Sequence, residues 1–186
     1  SKLIVKCNGY IDLHGERFHC WKKKGHGVVG MRTALKKSCD VYFYEVARRL
    51  GIDRLSTTAK KFGLGEKVLQ NFKEEKAGVV PDTKWKIKEI GKNWYIGETL
   101  HSGIGQGYFL TTPLQLCLMT SQLANGGFKI QPRILVNKED QVSNLQKFLD
   151  HKNSTPGNIM STEDQIFNFG LQPLFRNQEN INLVKE

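Results

Sequence analysis

The sequence predicts an α+β fold, mostly helix and loop with a few short strands. Three observations predict it. Apolar residues recur at helical spacing in segments closed by recognisable caps, as in 41–50 and 113–123. Short alternating stretches, as in the first six residues and in Phe128 to Val136, have strand character. Clusters of Gly, Pro and Asn punctuate the chain between them. The 186 residues suffice for one domain with a real core, and 39% hydrophobic against 25% charged residues is the composition of a globular chain.

The elements follow in order. Residues 1–29 are rich in Gly, His, Cys and aromatics and read as short strands and turns. Met31 to Lys37 reads as a short helix. A longer one follows Asp40 and ends at Leu50, with Gly51 a good residue just past its end. Asp53 is placed to cap a helix from Arg54 to Phe62 that Gly63 ends. Residues 63–98 read as mostly irregular, with Trp85, Trp94 and Tyr95 set among Lys, Gly and Pro. Gly103-Ile104-Gly105-Gln106-Gly107 is a glycine-dense turn where backbone must pass close to something. Thr112-Pro113-Leu114-Gln115 starts a helix well: Thr112 caps, Pro113 lacks only an N–H that would be unpaired, and Gln115 can close a capping box. Asn125-Gly126-Gly127 stops it. Phe128 to Val136 reads as a strand, with Pro132 at its edge or end. Residues 137–160 read as a polar surface linker, and Ser161-Thr162-Glu163-Asp164 as the cap of a last helix reaching toward Phe175.

Several function classes recede on these grounds. No run of about eighteen apolar residues occurs, so no spanning helix lies within this stretch. The first ten residues hold no signal-peptide core; the protein is cytosolic or its targeting segment lies elsewhere. The abrupt opening, with neither Met nor cap, reads as a cut edge, and the tail Val184-Lys185-Glu186 is open to the same reading. The net charge of +10, from 28 basic against 18 acidic residues, admits an anionic polymer, membrane surface or nucleic acid as partner. The lysines are scattered, however, with Lys22-Lys23-Lys24 as a run, and read mainly as a solvated surface.

Ser38-Cys39-Asp40 sets a hydroxyl, a thiol and a carboxylate side by side, just before the aromatic-rich run Val41-Tyr42-Phe43-Tyr44. Ser38 or Asp40 is a natural N-cap for the helix that follows. Polar groups anchored at the start of a buried helix are also held rigidly, which suits a site.

The cysteines stand at 7, 20, 39 and 117. Cys117 lies on the apolar pattern of the 113–124 helix and reads as a small buried hydrophobe. Twelve residues separate Cys7 from Cys20, five separate Cys20 from His26, and twelve separate His26 from Cys39. Three thiolates and an imidazole make a closed tetrahedral zinc site of the structural type. The spacing is not the short Cys-x-x-Cys knuckle. A disulfide between two of the three, or unrelated buried thiols, also fits, and the disulfide gains weight outside the cytosol. His14 and His19 could substitute for His26, although His19 adjoins Cys20 and so points the opposite way in an extended segment. His14 and His101 carry no special role in this reading.

Six stretches come in a characteristic order: Gly25-His26-Gly27, Ser38 to Tyr44, Gly51 to Leu55, Trp94 to Thr99, Gly103 to Gly107 and Thr112 to Gln115. Together they resemble the transpeptidase domain of class B penicillin-binding proteins, most of all the elongation-type penicillin-binding protein 2 group. The resemblance covers roughly residues 7–135. It implies a serine acyl-transferase, a peptidoglycan D,D-transpeptidase built on an antiparallel sheet with helices on both sides and a helical subdomain that carries the Ser-x-Asp turn. In the family a serine attacks the D-Ala–D-Ala bond of a stem peptide, an amine of a neighbouring strand resolves the acyl-enzyme, and β-lactams trap the first step. Carried over, Ser38 joins the proton-shuttle network and helps protonate the leaving amine. Asp40 stands where many members have Asn and positions the substrate amide, through acceptor oxygens alone unless protonated.

The departures are as informative. No Ser-x-x-Lys and no Lys-(Ser/Thr)-Gly occurs in the sequence. In the family these lie upstream of the Cys7 region and downstream of the last helix. Residues 1–186 therefore read as the middle of a transpeptidase domain that lacks both flanking motifs, and this chain alone is expected neither to transpeptidate nor to bind penicillin covalently. The resemblance also implies Zn2+ held by Cys7, Cys20, His26 and Cys39, where some members carry Asp at the first two positions. It implies peptidoglycan stem peptides as substrate, β-lactams as ligands of the parent, a cell-elongation glycosyltransferase as partner, and no nucleic acid. It places the parent in a bacterial cytoplasmic (inner) membrane with this domain facing the periplasm and the anchor outside these residues. The rival reading is a non-enzymatic zinc-stabilised module binding an anionic polymer or nucleic acid through the Lys22–Lys24 run. A third is a split or degraded gene without activity.

Overall fold

The computed structural model describes residues 3–69, 72–133, 172–175 and 181. They divide into two compact units, Ser1–Lys60 with Gly78–Thr111, and Lys61–Ala77 with Thr112–Glu186.

The first unit opens with two antiparallel ribbons, one nested in the other. Strand β1 (Ile4–Cys7) pairs with β4 (Gly27–Gly30), Cys7 facing Gly27, and between them β2 (Tyr10–Leu13) pairs with β3 (Glu16–His19). His14 and Gly15 make the two-residue turn of this inner hairpin, both at positive φ, 51° and 86°, the twist a tight hairpin needs. Where the ribbons meet, the loops cross at van der Waals limit. A Cβ on Gly9 would lie 2.2 Å from the Lys23 carbonyl oxygen, and one on Gly25 would lie 2.1 Å from that of Cys7. Only glycine permits that approach, and it brings the end of β1 against the loop after β3.

Helices α1 (Met31–Lys36), α2 (Asp40–Leu50), α3 (Ile52–Lys61), α4 (Thr83–Ile90) and α5 (Ile96–Ser102) follow. The core gathers Cys7, Phe18, Cys20, Val29, Ala34, Cys39, Val41, Tyr42, Tyr44 and Leu100. Helix α2 lies at its centre, packed on α5, β1 and the inner hairpin. Gly103, at the end of α5, meets Ala47 of α2 so closely that a Cβ there would stand 2.4 Å from the Ala47 Cβ.

In the second unit, α6 (Pro113–Ala124) carries the expected capping box between Thr112 and Gln115. Its buried stripe is Gln115, Leu118 and Gln122. The glutamines bind backbone: Gln115 Nε2 donates to the carbonyls of Glu66 (2.7 Å) and Ala77 (2.8 Å), and Gln122 Nε2 to that of Phe62 (3.0 Å).

The structure corrects five sequence expectations. Cys117 is exposed, because the glutamine stripe takes the buried face of α6 and leaves the next residue round outside it. Helix α4 stands inside the stretch read as irregular, capped by Asp82 Oδ1 accepting from the Trp85 amide at 2.7 Å and closed by Gly91 in the left-handed conformation. Asp53 does not cap α3. It sits in the first turn, and its carboxylate accepts from the amide and hydroxyl of Thr83 across 30 residues. Neither Ser38 nor Asp40 caps α2 with its side chain; Cys39 occupies the cap position. Phe128 makes an isolated bridge to Pro173 rather than opening a strand within 128–133. The expected linker at 137–160 and the last helix from Ser161 lie outside the described residues, apart from 172–175.

Candidate metal centre and the adjoining polar turn

Each of the four sequence-predicted ligands is delivered by a different local device. Cys7 is the last residue of β1, and Cys20 follows β3 directly, its amide donating to the Gly9 carbonyl at 2.8 Å. His26 lies in the loop before β4, after Gly25, which only a residue without Cβ can occupy against Cys7. Cys39 is held at the start of α2, its amide bonded to the Ala34 carbonyl of α1 at 2.9 Å. The structure brings all four together: one ligand atom from each lies within 4.8 Å of every other. The three thiols are free and buried, with Cys7 1%, Cys20 4% and Cys39 0% exposed.

The His26 ring turns Nδ1 toward the thiols, 3.7 Å from Cys7 Sγ and 3.5 Å from Cys20 Sγ. Its outer nitrogen, Nε2, is buried without a partner among the described residues, so no bond on the far side sets the ring. Around a tetrahedral zinc with bonds of about 2.3 Å to sulfur and about 2.0–2.1 Å to nitrogen, an S···N edge is about 3.5 Å and an S···S edge about 3.8 Å. The donor set and these separations fit such an ion. Burial pushes the Cys39 thiol up to about 12, with the Cys7 and Cys20 charges adding to the rise. Burial acts upward on Cys7 too, but the His26 and Gly9 amides and the Cys39 and Cys20 thiols outweigh it and hold Cys7 below the usual thiol range. Packing thus sets the Cys39 thiol, pushed up, beside the Cys7 thiol, held down, and a coordinated dication would favour the thiolate form of its ligands.

Cys39 is also the centre of the polar turn. Ser38 precedes it, exposed and at φ 48°, a left-handed backbone unusual for a residue with a Cβ. Asp40 follows as the first residue of α2, and its Oδ2 accepts from the Trp21 amide at 2.9 Å. The Trp21 indole Nε1 donates to the carbonyls of Lys37 (3.1 Å) and Ser38 (2.8 Å). Sequence reading missed Trp21. The signal was its position beside Cys20, but a hydrogen bond across nineteen residues has no local pattern.

The other described histidines fall elsewhere. His19 ends β3, and its carbonyl accepts from the Tyr44 hydroxyl at 3.1 Å. His14 and His101 line a cavity of about 470 Å³ with Phe18, Tyr95, Gly97 and Glu98. Lys86, also missed, is 2% exposed and paired with Glu98.

Comparison with known proteins bears on this arrangement. The family described as "Penicillin binding protein transpeptidase domain" matches residues 3–168. Peptidoglycan D,D-transpeptidase MrdA of Acinetobacter baumannii is 41% identical over 129 residues, covering 68% of this chain and 19% of the relative. The crystal structure of Pseudomonas aeruginosa PBP2 in complex with WCK 5153 is 42% identical, with a TM-score of 0.67 over 70% of this chain and 30% of that one. The structure of Helicobacter pylori PBP2 in complex with MreC is 29% identical, with a TM-score of 0.75 over 98% of this chain and 29% of that one. The chain spans about a fifth of the length of the curated relatives it matches.

Proposed function

The chain belongs to the penicillin binding protein transpeptidase family, and on that premise we propose that it serves in a peptidoglycan D,D-transpeptidase of the elongation type. The observation that carries this reading is the Ser38-Cys39-Asp40 turn. It stands at an exposed helix start, with its middle residue buried in the thiol cluster, inside a stretch that the family matches from residue 3 to 168.

In this reading the nucleophile comes from a Ser-x-x-Lys segment that these residues do not contain. Ser38 presents an exposed hydroxyl that can relay a proton toward the leaving amine. Asp40 has one carboxylate oxygen fixed by the Trp21 amide, which orients the other as acceptor for a substrate amide. The substrate is a peptidoglycan stem peptide, and β-lactams acylate the serine of the Ser-x-x-Lys segment. Cys7, Cys20, His26 and Cys39 hold one zinc ion, whose contribution is structural: it fixes the fold of the turn. The parent faces the periplasm from the cytoplasmic membrane. Its partners are a cell-elongation glycosyltransferase and, by analogy with the Helicobacter pylori complex, a protein of the MreC kind.

The test is fluorescent penicillin labelling of the complete protein. Labelling is expected at a Ser-x-x-Lys serine, with acylation slowed by about 10²-fold or more in Ser38→Ala. The 186-residue chain alone is expected to take no label. A complete protein that takes no label and cleaves no D-Ala–D-Ala peptide contradicts the reading.

A further inference from the structure

We propose that Trp21 is a positioning residue that ties the Cys7–Cys20–His26–Cys39 cluster to the Ser38–Asp40 turn. This rests on the functional reading above for the importance of the turn, and on the structure for the tie.

Trp21 stands between two predicted ligands. It follows Cys20 in the chain, and its ring meets the His26 ring edge-on, with centroids 5.3 Å apart. From there it makes three hydrogen bonds onto the turn: amide to Asp40 Oδ2, and indole Nε1 to the carbonyls of Lys37 and Ser38. The residue is 64% exposed. An indole left that far in water gains little from burial, so its hydrogen bonds and the His26 contact are what hold it.

The turn needs holding. Ser38 adopts φ 48°, a conformation that a residue with a Cβ keeps only when its surroundings impose it. Its carbonyl receives the shorter of the two indole bonds, 2.8 Å. The amides of Lys37, Ser38 and Cys39 bond back to Thr33, Leu35 and Ala34 at 3.0, 3.2 and 2.9 Å. The turn is therefore gripped from three sides: α1 behind, the thiol cluster through Cys39, and Trp21 above. Any shift of Cys20 or His26 moves Trp21, and Trp21 moves the Ser38 carbonyl and the Asp40 carboxylate with it. A purely structural tryptophan would be buried, and its loss would loosen the whole core. This one bonds three residues of one turn, Lys37, Ser38 and Asp40.

The test compares the wild-type chain with Trp21→Phe, which removes the indole N–H and keeps the amide bond to Asp40. A second variant carries benzothienylalanine at position 21, which exchanges only that N–H for sulfur and keeps the ring shape. Hydrogen exchange is followed by mass spectrometry, with zinc loaded and after chelation. Both variants are expected to exchange the amides of residues 37–39 about tenfold faster than wild type when zinc-loaded, with the core amides of α2 unchanged. Chelation is expected to raise wild-type exchange at 37–39 and to add little in the variants. Variant exchange at 37–39 equal to wild type overturns the proposal, as does acceleration spread evenly over the core. In the complete protein, acylation by penicillin should slow in Trp21→Phe. A complete protein that takes no penicillin at all would sink the functional reading and leave the exchange result standing.

Discussion

The Lys86 ammonium bonds both carboxylate oxygens of Glu98 inside a ring formed by Trp94, Tyr95 and Tyr108. Its nitrogen lies 5.7 Å from the Trp94 ring centre, 4.7 Å from that of Tyr95 and 5.8 Å from that of Tyr108. Glu98 also accepts from the Tyr95 amide at 2.8 Å, so the same carboxylate closes the start of α5. Breaking a buried pair from one side leaves a charge uncompensated, which costs more than the pair contributes. Lys86→Met is expected to lose about 3 kcal/mol of stability, and Lys86→Met with Glu98→Gln to recover part of it. Urea unfolding of the two variants checks this; a double variant no more stable than Lys86→Met would contradict it.

Gly103 separates steric from conformational need. Its φ is −64°, which suits any residue, but its Cβ position is filled by Ala47 at 2.4 Å and the Phe43 carbonyl oxygen at 3.1 Å. Gly103→Ala is expected to cost about 2 kcal/mol through overpacking of α5 on α2. Gly51 is the converse: open space around it and φ 77°. Gly51→Ala is expected to cost about 1 kcal/mol through backbone strain alone. Thermal unfolding ranks the two.

Glu45 makes stability depend on acid pH. Hydrogen bonds from Arg48 first, and from Arg49, outweigh the opposing effect of burial and hold its carboxyl below the usual carboxylate range. A carboxyl depressed in the folded state contributes stability that is complete above its unfolded value, about 4.3, and lost as the pH falls through the folded value. Glu45→Gln is expected to cost about 1 kcal/mol at neutral pH, the arginines being well exposed, and to flatten the loss of stability below about pH 4.3. Urea midpoints from neutral pH to about pH 3 check it.

Much of this molecule is written locally. Thr112, Pro113 and Gln115 state the start of α6, and Gly51 the end of α2, because caps are satisfied within a few residues. Residue type marks out Cys7, Cys20 and Cys39 but leaves His14 and His19 open beside His26, so the grouping of these four rests on the family resemblance. What escaped is carried by hydrogen bonds over long sequence distance. Asp53 looks like a cap until Thr83, thirty residues on, claims its carboxylate. The amides of Gln115 and Gln122 reach backbone carbonyls in 62–77, which puts both on the buried face of α6 and leaves Cys117 exposed. Trp21 and Lys86 belong to the same group. Ser38 and Asp40 were legible as special and misread in detail, since the Trp21 amide, not the helix, takes the Asp40 oxygen.

We expect Cys7, Cys20, His26 and Cys39 to form one metal centre that fixes the Ser38–Asp40 turn. Native mass spectrometry of the folded chain, purified without chelator, tests it most directly. One zinc per chain is expected, bound by three sulfurs and one nitrogen as read by X-ray absorption, and lost in Cys20→Ser or His26→Ala. A folded chain that carries no metal, with a disulfide joining two of Cys7, Cys20 and Cys39, would contradict it.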